Sequence, residues 1–343
     1  MSGFWRNKKV FVTGHTGFKG GWLCTWLKAM GADVTGYALP PPAAPGLFEI
    51  ANVASGITSV FGDVRDLPLL AESMNMVRPD IVFHMAAQPL VRASYADPVA
   101  TYTTNVIGTV NLFEAVRAVT SVGAVVNVTT DKCYENREWV WGYREDEAMG
   151  GYDPYSSSKG CAELVSAAYR RSFSMNIATA RAGNVIGGGD WSKDRLVPDV
   201  LSAFADVRPV AIRHPNATRP WQHVLEPLRG YLNLAERLFI DGKMFAGPWN
   251  FGPRDEDCRA VGDVTEMLVS MWGAGASWNR DADAHPHEAN LLKLDVSKAR
   301  ALLGWVPRLG LEEGLRLTVE WQKAWLAGQN MERFTLGQIE KHG

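Results

Sequence analysis

The stretch KVFVTGHTGFKGGWL (Lys9–Leu23) decides the fold. It predicts a short buried strand, a glycine-rich loop and the first turns of a helix, in that order. Gly14, Gly17 and Gly20 have the spacing G-x-x-G-x-x-G, which lets the backbone approach a pyrophosphate at the positive end of a helix. A tight turn without a ligand would explain the glycines alone, but their position between the first strand and the first helix favours dinucleotide binding.

Outward from this loop, apolar runs alternate with helical patterns as far as Gly183. The runs are continuous, which predicts strands covered on both faces and hence a Rossmann-type, doubly wound parallel sheet of the α/β class. The predicted strands are ADVTGYAL (32–39), SVFGDV (59–64), DIVFHMAAQ (80–88), AVVNVTTD (124–131) and NIATARAGNV (176–185). The predicted helices are GWLCTWLKAMG (21–31), LPLLAESMNMV (67–77) and DPVATYTTNVIGTVNLFEAVRAV (97–119).

Beyond Gly183, strand-like runs and helical patterns no longer alternate regularly. Loops there separate helical segments such as GDVTEMLVSMWG (262–273) and GLEEGLRLTVEWQKAWLAG (310–328). We therefore predict a dinucleotide-binding domain at residues 1–183 that carries the catalytic residues. Residues 184–343 are predicted to form mainly a smaller C-terminal substrate-binding lobe over the carboxyl edge of the sheet, with some return to the sheet.

Composition excludes several classes of protein. The formal net charge of -2 gives no electrostatic footprint for nucleic acid or an anionic membrane. No apolar run is long enough to span a bilayer, and the first residues lack the pattern of a signal peptide. The four cysteines are far apart, and no spaced His, Asp and Glu cluster suggests a metal site. These features predict a cytoplasmic enzyme with reduced thiols and no metal.

The second strand lacks the acid that usually holds the adenosine ribose, because it ends in GYALPP (36–41). No arginine stands there for a 2′-phosphate either, so NAD is favoured over NADP. Asp63 could hydrogen-bond the adenine amine or could simply be a turn residue. His15 and Lys19 could contact the pyrophosphate or could face solvent.

The segment YSSSK places Tyr155 and Lys159 one helical turn apart on the same face. A phenol has a pKa near 10, and a nearby cation favours its phenolate form. Such a pair also occurs by chance, but the glycine loop and the threonine-rich strand end before it favour a catalytic role.

These features, with TNVIGT around Asn105 and the late LDVSKARALLGWVP, resemble the extended short-chain dehydrogenase/reductase superfamily over nearly the whole chain. The resemblance implies that Tyr155, Lys159 and the strand-end Thr130 move protons while NAD takes a hydride. The cofactor-binding positions it implies are Gly14, His15, Gly17, Phe18, Lys19, Gly20, Asp63, Val64, Ala86, Ala87, Gln88, Asn105, Tyr155 and Lys159.

The segment TTDKCYEN (129–136) sets Asp131 and Lys132 directly after a strand. With GHTGFKGGW, AAQPLVRASY, RAGNVIGGGDW and RPWQHVLEPL, it resembles the sugar-nucleotide 4,6-dehydratases, in the branch that acts on CDP-glucose. The resemblance implies that Asp131 protonates the leaving C6 hydroxyl and that Lys132 takes the C5 proton. A free lysine is protonated at pH 7, so this role needs an environment that favours the neutral amine. Glu135 is the rival base, and a structural ion pair is the alternative for Asp131 and Lys132.

The resemblance also implies a substrate site and a pathway. Arg219 is the first choice for a phosphate contact, and Gln88, Asn184 and Arg195 match other substrate positions, although Arg195 could be an ordinary surface residue. Relatives pair as homodimers or homotetramers through helices matching Asp97–Val119 and Asp153–Phe173. The product would be CDP-4-dehydro-6-deoxy-D-glucose, for deoxysugars of a bacterial surface polysaccharide.

Three alternatives stay open from the sequence. A dehydratase could act on a dTDP- or GDP-linked sugar instead. A sugar-nucleotide 4-epimerase would keep its turnover after Asp131→Asn or Lys132→Met. A non-catalytic NAD-sensing module would bind the cofactor without turnover.

Overall fold

The computed structural model describes residues 3–41, 45–281 and 291–342. None of the helices in these ranges is long and apolar enough to cross a membrane. The strands are β1 Lys9–Thr13, β2 Asp33–Ala38, β3 Thr58–Phe61, β4 Ile81–His84, β5 Ala124–Val128, β6 Ile177–Ala182, β7 Asn184–Ile186, β8 Val210–Ile212, β9 Thr218–His223, β10 Gly247–Phe251, β11 Cys258–Ala260 and β12 Trp278–Arg280.

The helices follow the strands in the order that a doubly wound fold requires. They are α1 Phe18–Ala29, α2 Leu47–Ile50, α3 Leu67–Val77, α4 Val91–Ala96, α5 Pro98–Tyr102, α6 Gly108–Arg117, α7 Pro154–Phe173, α8 Leu196–Ala205, α9 Leu225–Asp241, α10 Val261–Trp272, α11 Ser297–Leu303, α12 Leu311–Leu326 and α13 Met331–His342. Short 3₁₀ turns lie at Gly3–Trp5, Asp131–Cys133, Gly242–Met244 and Asp255–Asp257, and a π turn at Thr103–Ile107 joins α5 to α6.

The central sheet has seven parallel strands in the order β3-β2-β1-β4-β5-β6-β10. Every residue of β4, β5 and β6 is buried, as the continuous apolar runs predicted. The strand order reverses between β1 and β4, and ligands bind at the carboxyl ends of the strands at such a switch point. The prediction of a Rossmann-type sheet is confirmed.

Helices cover both faces of this sheet. Trp22 and Trp26 of α1 pack with α9 and the C-terminal helices in one apolar cluster, and both indoles are buried. On the opposite face, Leu70 of α3 and Phe113 of α6 pack against a second cluster, with Tyr169 of α7 at its border. The sheet is therefore a rigid platform between two layers, and its carboxyl edge carries the loops of the site.

The predicted strand 176–185 is wrong in one respect, because the chain leaves the sheet at Gly183. β6 ends before this glycine, and β7 begins after it in a separate three-stranded sheet of the order β11-β9-β7. A methyl group on Gly183 would lie 2.6 Å from Cγ of Pro220 and 2.8 Å from Oδ2 of Asp131. Only glycine allows the chain to pass between these two groups.

The C-terminal half forms its own core and also returns to the sheet. α8, α10 and α12 pack around Leu201, Phe204, Leu268 and Leu315. β10 adds a seventh strand beside β6, and α9 packs on β5 and β6. The boundary between residues 183 and 184 stays a prediction.

Candidate active site

The glycine loop leaves an open cradle at the start of α1. Gly14 has a φ of +78°, and a methyl group there would lie 2.7 Å from the amide nitrogen of Ala86. A methyl group on Gly20 would lie 2.1 Å from the carbonyl oxygen of Gly14, so the loop and the helix are in close contact there. Gly17 is exposed and caps α1 without a side-chain hydrogen bond. This end of the helix dipole therefore faces open space, which suits the pyrophosphate of a dinucleotide.

His15 is fully buried, so the alternative that it faces solvent is wrong. Its ring lies over Gly36 of β2, edge-on to Phe48, and Nε2 is 2.6 Å from the hydroxyl of Ser59. Burial lowers the pKa of His15 to about 4, although a hydrogen bond with the backbone of Tyr37 partly opposes this. His15 is therefore neutral at pH 7 and brings no charge to a pyrophosphate; its contact with the cofactor stays a prediction.

Asp63 and Val64 follow β3 beside the end of β2. The carboxylate of Asp63 accepts hydrogen bonds from Nε of Arg65 at 2.9 Å and from its backbone N–H at 2.9 Å. The hydrogen bond from Arg65 lowers the pKa of Asp63. Asp63 is thus held as a turn residue in the free protein, while Val64 is buried against α6. Their contacts with the adenine stay predictions.

The loop after β4 carries Ala86, Ala87 and Gln88 at the switch point. Asn105, in the π turn, accepts a hydrogen bond from the amide of Gln88 at 2.8 Å and donates to its carbonyl at 3.1 Å. It also donates to Ser158 of α7 at 2.8 Å. Asn105 therefore ties this loop to the catalytic helix. The side-chain amide of Gln88 donates to Thr101 at 2.9 Å, so it is engaged within the protein.

Lys159 lies one turn after Tyr155 in α7, as predicted, with its side chain directed at the end of β5. Its Nζ donates to the carbonyl oxygen of Val128 at 3.1 Å. Burial lowers the pKa of Lys159 to about 8, and the charge of Glu163 partly opposes this. The ammonium thus has a fixed place beside the strand end.

Tyr155 is buried, and the hydroxyl of Thr130 lies close enough to act on its phenol. Burial raises the pKa of Tyr155 to about 12, while the hydroxyl of Thr130 and the charge of Arg195 lower it. The phenol form therefore dominates in the free protein at neutral pH. Formation of the phenolate requires further positive charge in the cleft.

Asp131 opens the 3₁₀ turn after β5, and its carboxylate is almost fully buried. Oδ1 accepts a hydrogen bond from Thr130 at 3.1 Å, and Oδ2 has no partner. Within the described residues Asp131 forms no ion pair with the half-buried Lys132, so the structural ion pair is wrong. Glu135 is exposed, with its carboxylate beside Gly150.

Lys19 and Tyr231 also belong to this cleft. Nζ of Lys19 lies 5.9 Å from the ring centroid of Tyr231, a residue of α9. Burial, with the charges of Arg195 and Lys159, lowers the pKa of Lys19 to about 7, and Asp131 opposes this. The hydroxyl of Tyr231 is buried without a partner. Burial, with the charges of Tyr155 and Asp131, raises the pKa of Tyr231 well above its usual value.

Sequence reasoning missed Tyr231 because it belongs to no motif. It lies in LEPLRGYLNLAERLFID (225–241), where apolar residues mark the buried face of a helix. The available signal is a phenol among leucines on that face, because a buried tyrosine usually needs a hydrogen-bond partner. Lys19 is predicted to contact the cofactor; in the structure its ammonium lies near the ring of Tyr231, and the contact with the cofactor stays a prediction.

Three of the predicted substrate residues, Asn184, Arg195 and Arg219, lie in the C-terminal half of the chain, whereas Gln88 follows β4. Arg195 bonds to the nearly buried carboxylate of Asp190 at 3.1 Å, and its charge acts on both Tyr155 and Lys19. Its charge therefore reaches both side chains, and its role as a substrate contact stays a prediction. Asn184 lies in β7, in register with Trp221 of β9.

Arg219 of β9 stands directly opposite Arg259 of β11 in an antiparallel pair. Its guanidinium donates to the carbonyl oxygen of Thr218 at 3.0 Å. Like charges directly across a strand pair are unfavourable, and an anion between them relieves the repulsion. This arrangement suits a phosphate group.

A buried ion-pair network centred on Glu163 and Arg181 packs beside the end of β5. Glu163 accepts hydrogen bonds from Thr129 at 2.6 Å, Thr179 at 2.7 Å, and Nη2 and Nε of Arg181 at 2.8 and 2.9 Å. Arg181 also donates to the hydroxyl of Tyr134 at 2.7 Å. Thr129 and Tyr134 flank the segment 130–133, so the network fixes both ends of the segment that carries Asp131.

Residues 11–318 match the model of the family described as GDP-mannose 4,6 dehydratase. The chain belongs to this family. Among curated relatives, it is 57% identical to CDP-glucose 4,6-dehydratase of Salmonella typhimurium over 96% of this chain and 94% of the relative. It is 29% identical to dTDP-glucose 4,6-dehydratase of Streptomyces antibioticus over 78% of each chain.

Solved structures of the family's fold agree with the architecture. The dTDP-glucose 4,6-dehydratase of Streptomyces venezuelae with NAD bound superposes with a TM-score of 0.81 at 25% identity, over 94% of this chain and 99% of that chain. The UDP-glucose 4-epimerase of Thermotoga maritima has a TM-score of 0.80 at 23% identity, over 92% and 99%, and supports the fold alone.

Proposed function

We propose that this protein is an NAD-dependent CDP-glucose 4,6-dehydratase, which converts CDP-D-glucose to CDP-4-dehydro-6-deoxy-D-glucose and water. The observation that carries the proposal is the buried series Tyr155, Thr130 and Asp131, with Lys132 next along the chain. A 4-epimerase needs one base at C4, whereas elimination across C5 and C6 needs an additional acid and base. The 57% identity to a CDP-glucose 4,6-dehydratase supports the choice of nucleotide.

The glycine cradle fits a dinucleotide. Gly14, Gly17 and Gly20 would hold its pyrophosphate at the start of α1, with Val64 and Asp63 on the adenine side. The end of β2 offers no arginine for a 2′-phosphate, which favours NAD over NADP. When bound, NAD supplies hydride acceptance at C4 and hydride return at C6.

The protein's own groups move the protons. Tyr155 takes the proton of the C4 hydroxyl, helped by Lys159 and Thr130. The resulting C4 ketone makes the C5 proton acidic. Lys132 removes that proton while Asp131 protonates the departing C6 hydroxyl through its free Oδ2. Glu135 is a weaker candidate for the base because its carboxylate is exposed beside Gly150.

In this proposal the lobe supplies cations for the sugar diphosphate. The pairing of Arg219 with Arg259 across two strands supports Arg219 as a phosphate contact, and the effect of the Arg195 charge on Tyr155 supports Arg195 as a second cation. Asn184 lies at the start of β7, beside Gly183 and therefore near Asp131. We assign Asn184 and Arg195 to the sugar side of the substrate, and Gln88 to the junction with the cofactor.

The enzyme is a homodimer or a pair of dimers in this proposal. The helices at Asp97–Val119 and Asp153–Phe173 expose Val99, Ile107 and Leu164 at 72%, 49% and 59%. Large exposed apolar side chains of this kind suit an association surface. Sedimentation of the purified protein checks this, and a monomer at micromolar concentration would contradict it.

Four cysteines of the chain are free thiols, which suits the cytoplasm: Cys24, Cys133, Cys161 and Cys258.

The test uses CDP-glucose deuterated at C4, with purified protein and NAD, read by mass spectrometry. Loss of one water with the deuterium retained at C6 supports the dehydratase. An unchanged mass leads to the same assay with dTDP-, GDP- and UDP-glucose. Water loss from one of these would change the nucleotide and keep the chemistry, and release of a C4 epimer would identify an epimerase. Inertness to all would favour a binding module.

A further inference from the structure

Asn250 joins the catalytic segment to two distant parts of the chain. It lies in β10, beside Arg181 of β6 in the parallel register, and its side chain is fully buried. Its Oδ1 accepts a hydrogen bond from the hydroxyl of Tyr134 at 2.7 Å. Its Nδ2 donates to the carbonyl oxygens of Tyr143 at 2.8 Å and Asp295 at 3.1 Å. The amide therefore uses both its nitrogen and its oxygen to hold other segments.

The late segment LDVSKARALLGWVP (294–307) carries none of the predicted site residues, but it packs against the chain that follows the catalytic turn. The amide of Asp295 donates to the carbonyl oxygen of Tyr143 at 2.9 Å, and the amide of Tyr143 donates to that of Lys293 at 3.0 Å. A methyl group on Gly142 would lie 2.6 Å from the amide nitrogen of Asp295, so the two backbones are in close contact. These contacts fix the two carbonyl groups to which the buried asparagine donates.

The 3₁₀ turn that carries Asp131 is anchored at both ends. Before the turn, Thr129 donates to Glu163 at 2.6 Å. After the turn, Tyr134 donates to Asn250. Oδ2 of Asp131 has no partner of its own, so the place of the carboxylate depends on the backbone between these two anchors.

The groups assigned to oxidation at C4 are held by other contacts. Lys159 donates to the backbone at the end of β5 at 3.1 Å. Ser158, in the same helix, accepts a hydrogen bond from Asn105 at 2.8 Å. Neither contact passes through Asn250. Loss of the hydrogen bond between Asn250 and the catalytic segment should therefore leave α7, with Tyr155, in place.

We propose that Asn250, acting through Tyr134, is a positioning residue for the elimination step and has no part in the oxidation at C4. This inference rests on the proposed function. Asn250 holds the hydroxyl of Tyr134, and Tyr134 holds the end of the turn from which Asp131 protonates the C6 hydroxyl and Lys132 takes the C5 proton. A displacement of about 1 Å at a reacting group can cost about 100-fold in rate. Loss of this hydrogen bond therefore slows elimination more than oxidation.

The experiment follows the two steps separately in a single turnover of purified protein with NAD and CDP-glucose. Mass spectrometry of quenched samples measures the loss of CDP-glucose, the oxidised sugar nucleotide that has not lost water, and the dehydrated product. Tyr134→Phe removes the hydroxyl and keeps the ring, and Asn250→Ser is too short to reach that hydroxyl. The double variant tests whether the two residues act through one bond. Tyr169→Phe is the matched control, because its hydroxyl donates to Glu114 at 2.6 Å outside this network.

We expect Tyr134→Phe and Asn250→Ser each to slow water loss by about 10- to 100-fold, while CDP-glucose is consumed within a few-fold of the parent rate. The oxidised sugar nucleotide should then accumulate, together with the absorbance of the reduced nicotinamide. The double variant should be about as slow as the slower single variant, because both changes remove the same hydrogen bond. Tyr169→Phe should keep both rates.

Equal slowing of the two steps would overturn the proposal and leave Asn250 with a structural role alone, and so would unchanged water loss in the folded variants. Additive losses in the double variant would show that Asn250 does not act through Tyr134. Thermal unfolding identifies the variants that are folded at the assay temperature, and either single variant suffices for the comparison of steps. If the parent protein dehydrates no nucleotide sugar, the proposed function fails instead, so the two failures are distinguishable.

Discussion

Two buried carboxylates lie within one short region of this protein, and their surroundings differ completely. Glu163, beneath the end of β5, accepts four hydrogen bonds and forms an ion pair with Arg181. Asp131, at the end of the same strand, accepts one hydrogen bond from Thr130 and keeps Oδ2 without a partner. Both side chains are buried, but only Glu163 has hydrogen-bond partners on both of its carboxylate oxygens.

This difference distinguishes buried groups that stabilise the fold from buried groups of the candidate active site. A buried charge that is fully paired stabilises one arrangement of its surroundings, and loss of one partner is costly. A buried oxygen without a partner costs folding free energy, and a ligand that supplies the missing hydrogen bond recovers it. The hydroxyl of Tyr231, charge-coupled to Asp131, belongs to the second class. The cleft is therefore the part of the molecule that a substrate completes.

The largest effect is expected for Asp131→Asn. The amide keeps the size of the side chain but cannot protonate a leaving group, so kcat with CDP-glucose should fall about 10³-fold. The midpoint of thermal unfolding should stay near that of the parent, because Oδ2 loses no partner. Steady-state kinetics with calorimetry checks both. Turnover within a few-fold of the parent would contradict the assignment and favour the 4-epimerase.

The opposite pattern is expected for Glu163→Gln. The change leaves the Arg181 guanidinium buried without its counter-charge, so the free energy of unfolding should fall by about 3 to 5 kcal/mol in denaturant titrations. Glu114→Gln is the matched control. It breaks the half-exposed pair with Arg117, and it should cost about 1 kcal/mol or less. Equal losses in the two variants would show that burial does not distinguish these pairs.

The same residue gives stability a defined pH dependence. Burial alone would raise the pKa of Glu163, but the charge and hydrogen bonds of Arg181 outweigh it, and the pKa is lowered. The unfolded state then binds more protons as the medium becomes acidic. The stabilisation is present above an unfolded pKa of about 4.3 and is lost as pH falls through the folded value. Glu163→Gln should therefore flatten the acid limb of the stability profile.

The fold was predictable because its signals are local. Continuous apolar runs, the glycine loop and the spacing of Tyr155 and Lys159 indicate the sheet, the switch point and the catalytic helix. What the sequence could not show depends on contacts distant along the chain. Position 183 requires a glycine because Asp131 and Pro220 leave no room for a Cβ there, and no local pattern reports that contact. His15 turns from the loop into a pocket over Gly36 for a similar reason.

Gly183→Ala tests the point where the chain leaves the parallel sheet after β6 and passes beside Asp131. The added methyl group would meet Cγ of Pro220 at 2.6 Å and Oδ2 of Asp131 at 2.8 Å, so one of them must move. We expect a loss of about 1 to 3 kcal/mol in unfolding free energy and a fall in kcat beyond what stability explains. Gly337→Ala in α13 is the control, because nothing lies within 4 Å of the added group. It should be neutral or slightly stabilising.

The smallest effects separate two buried tyrosines. The hydroxyl of Tyr134 donates to Asn250 at 2.7 Å and accepts from Arg181 at 2.7 Å, so Tyr134→Phe leaves two buried groups unsatisfied. That change should lower the free energy of unfolding by about 1 to 3 kcal/mol. Tyr231→Phe removes a hydroxyl that has no partner, and it should leave stability unchanged or slightly higher.

The same two variants should differ in the opposite direction when ligand is present. If the cleft is completed by substrate, the hydroxyl of Tyr231 gains a partner only in the complex. Tyr231→Phe should then reduce the increase in melting temperature that NAD and CDP-glucose together produce, whereas Tyr134→Phe should keep that increase. Equal increases in both variants would show that the Tyr231 hydroxyl stays unpaired in the complex. In that case the Tyr231 hydroxyl would not contact the ligand. Oδ2 of Asp131 would remain as the unpaired oxygen of the cleft that is expected to contact the substrate.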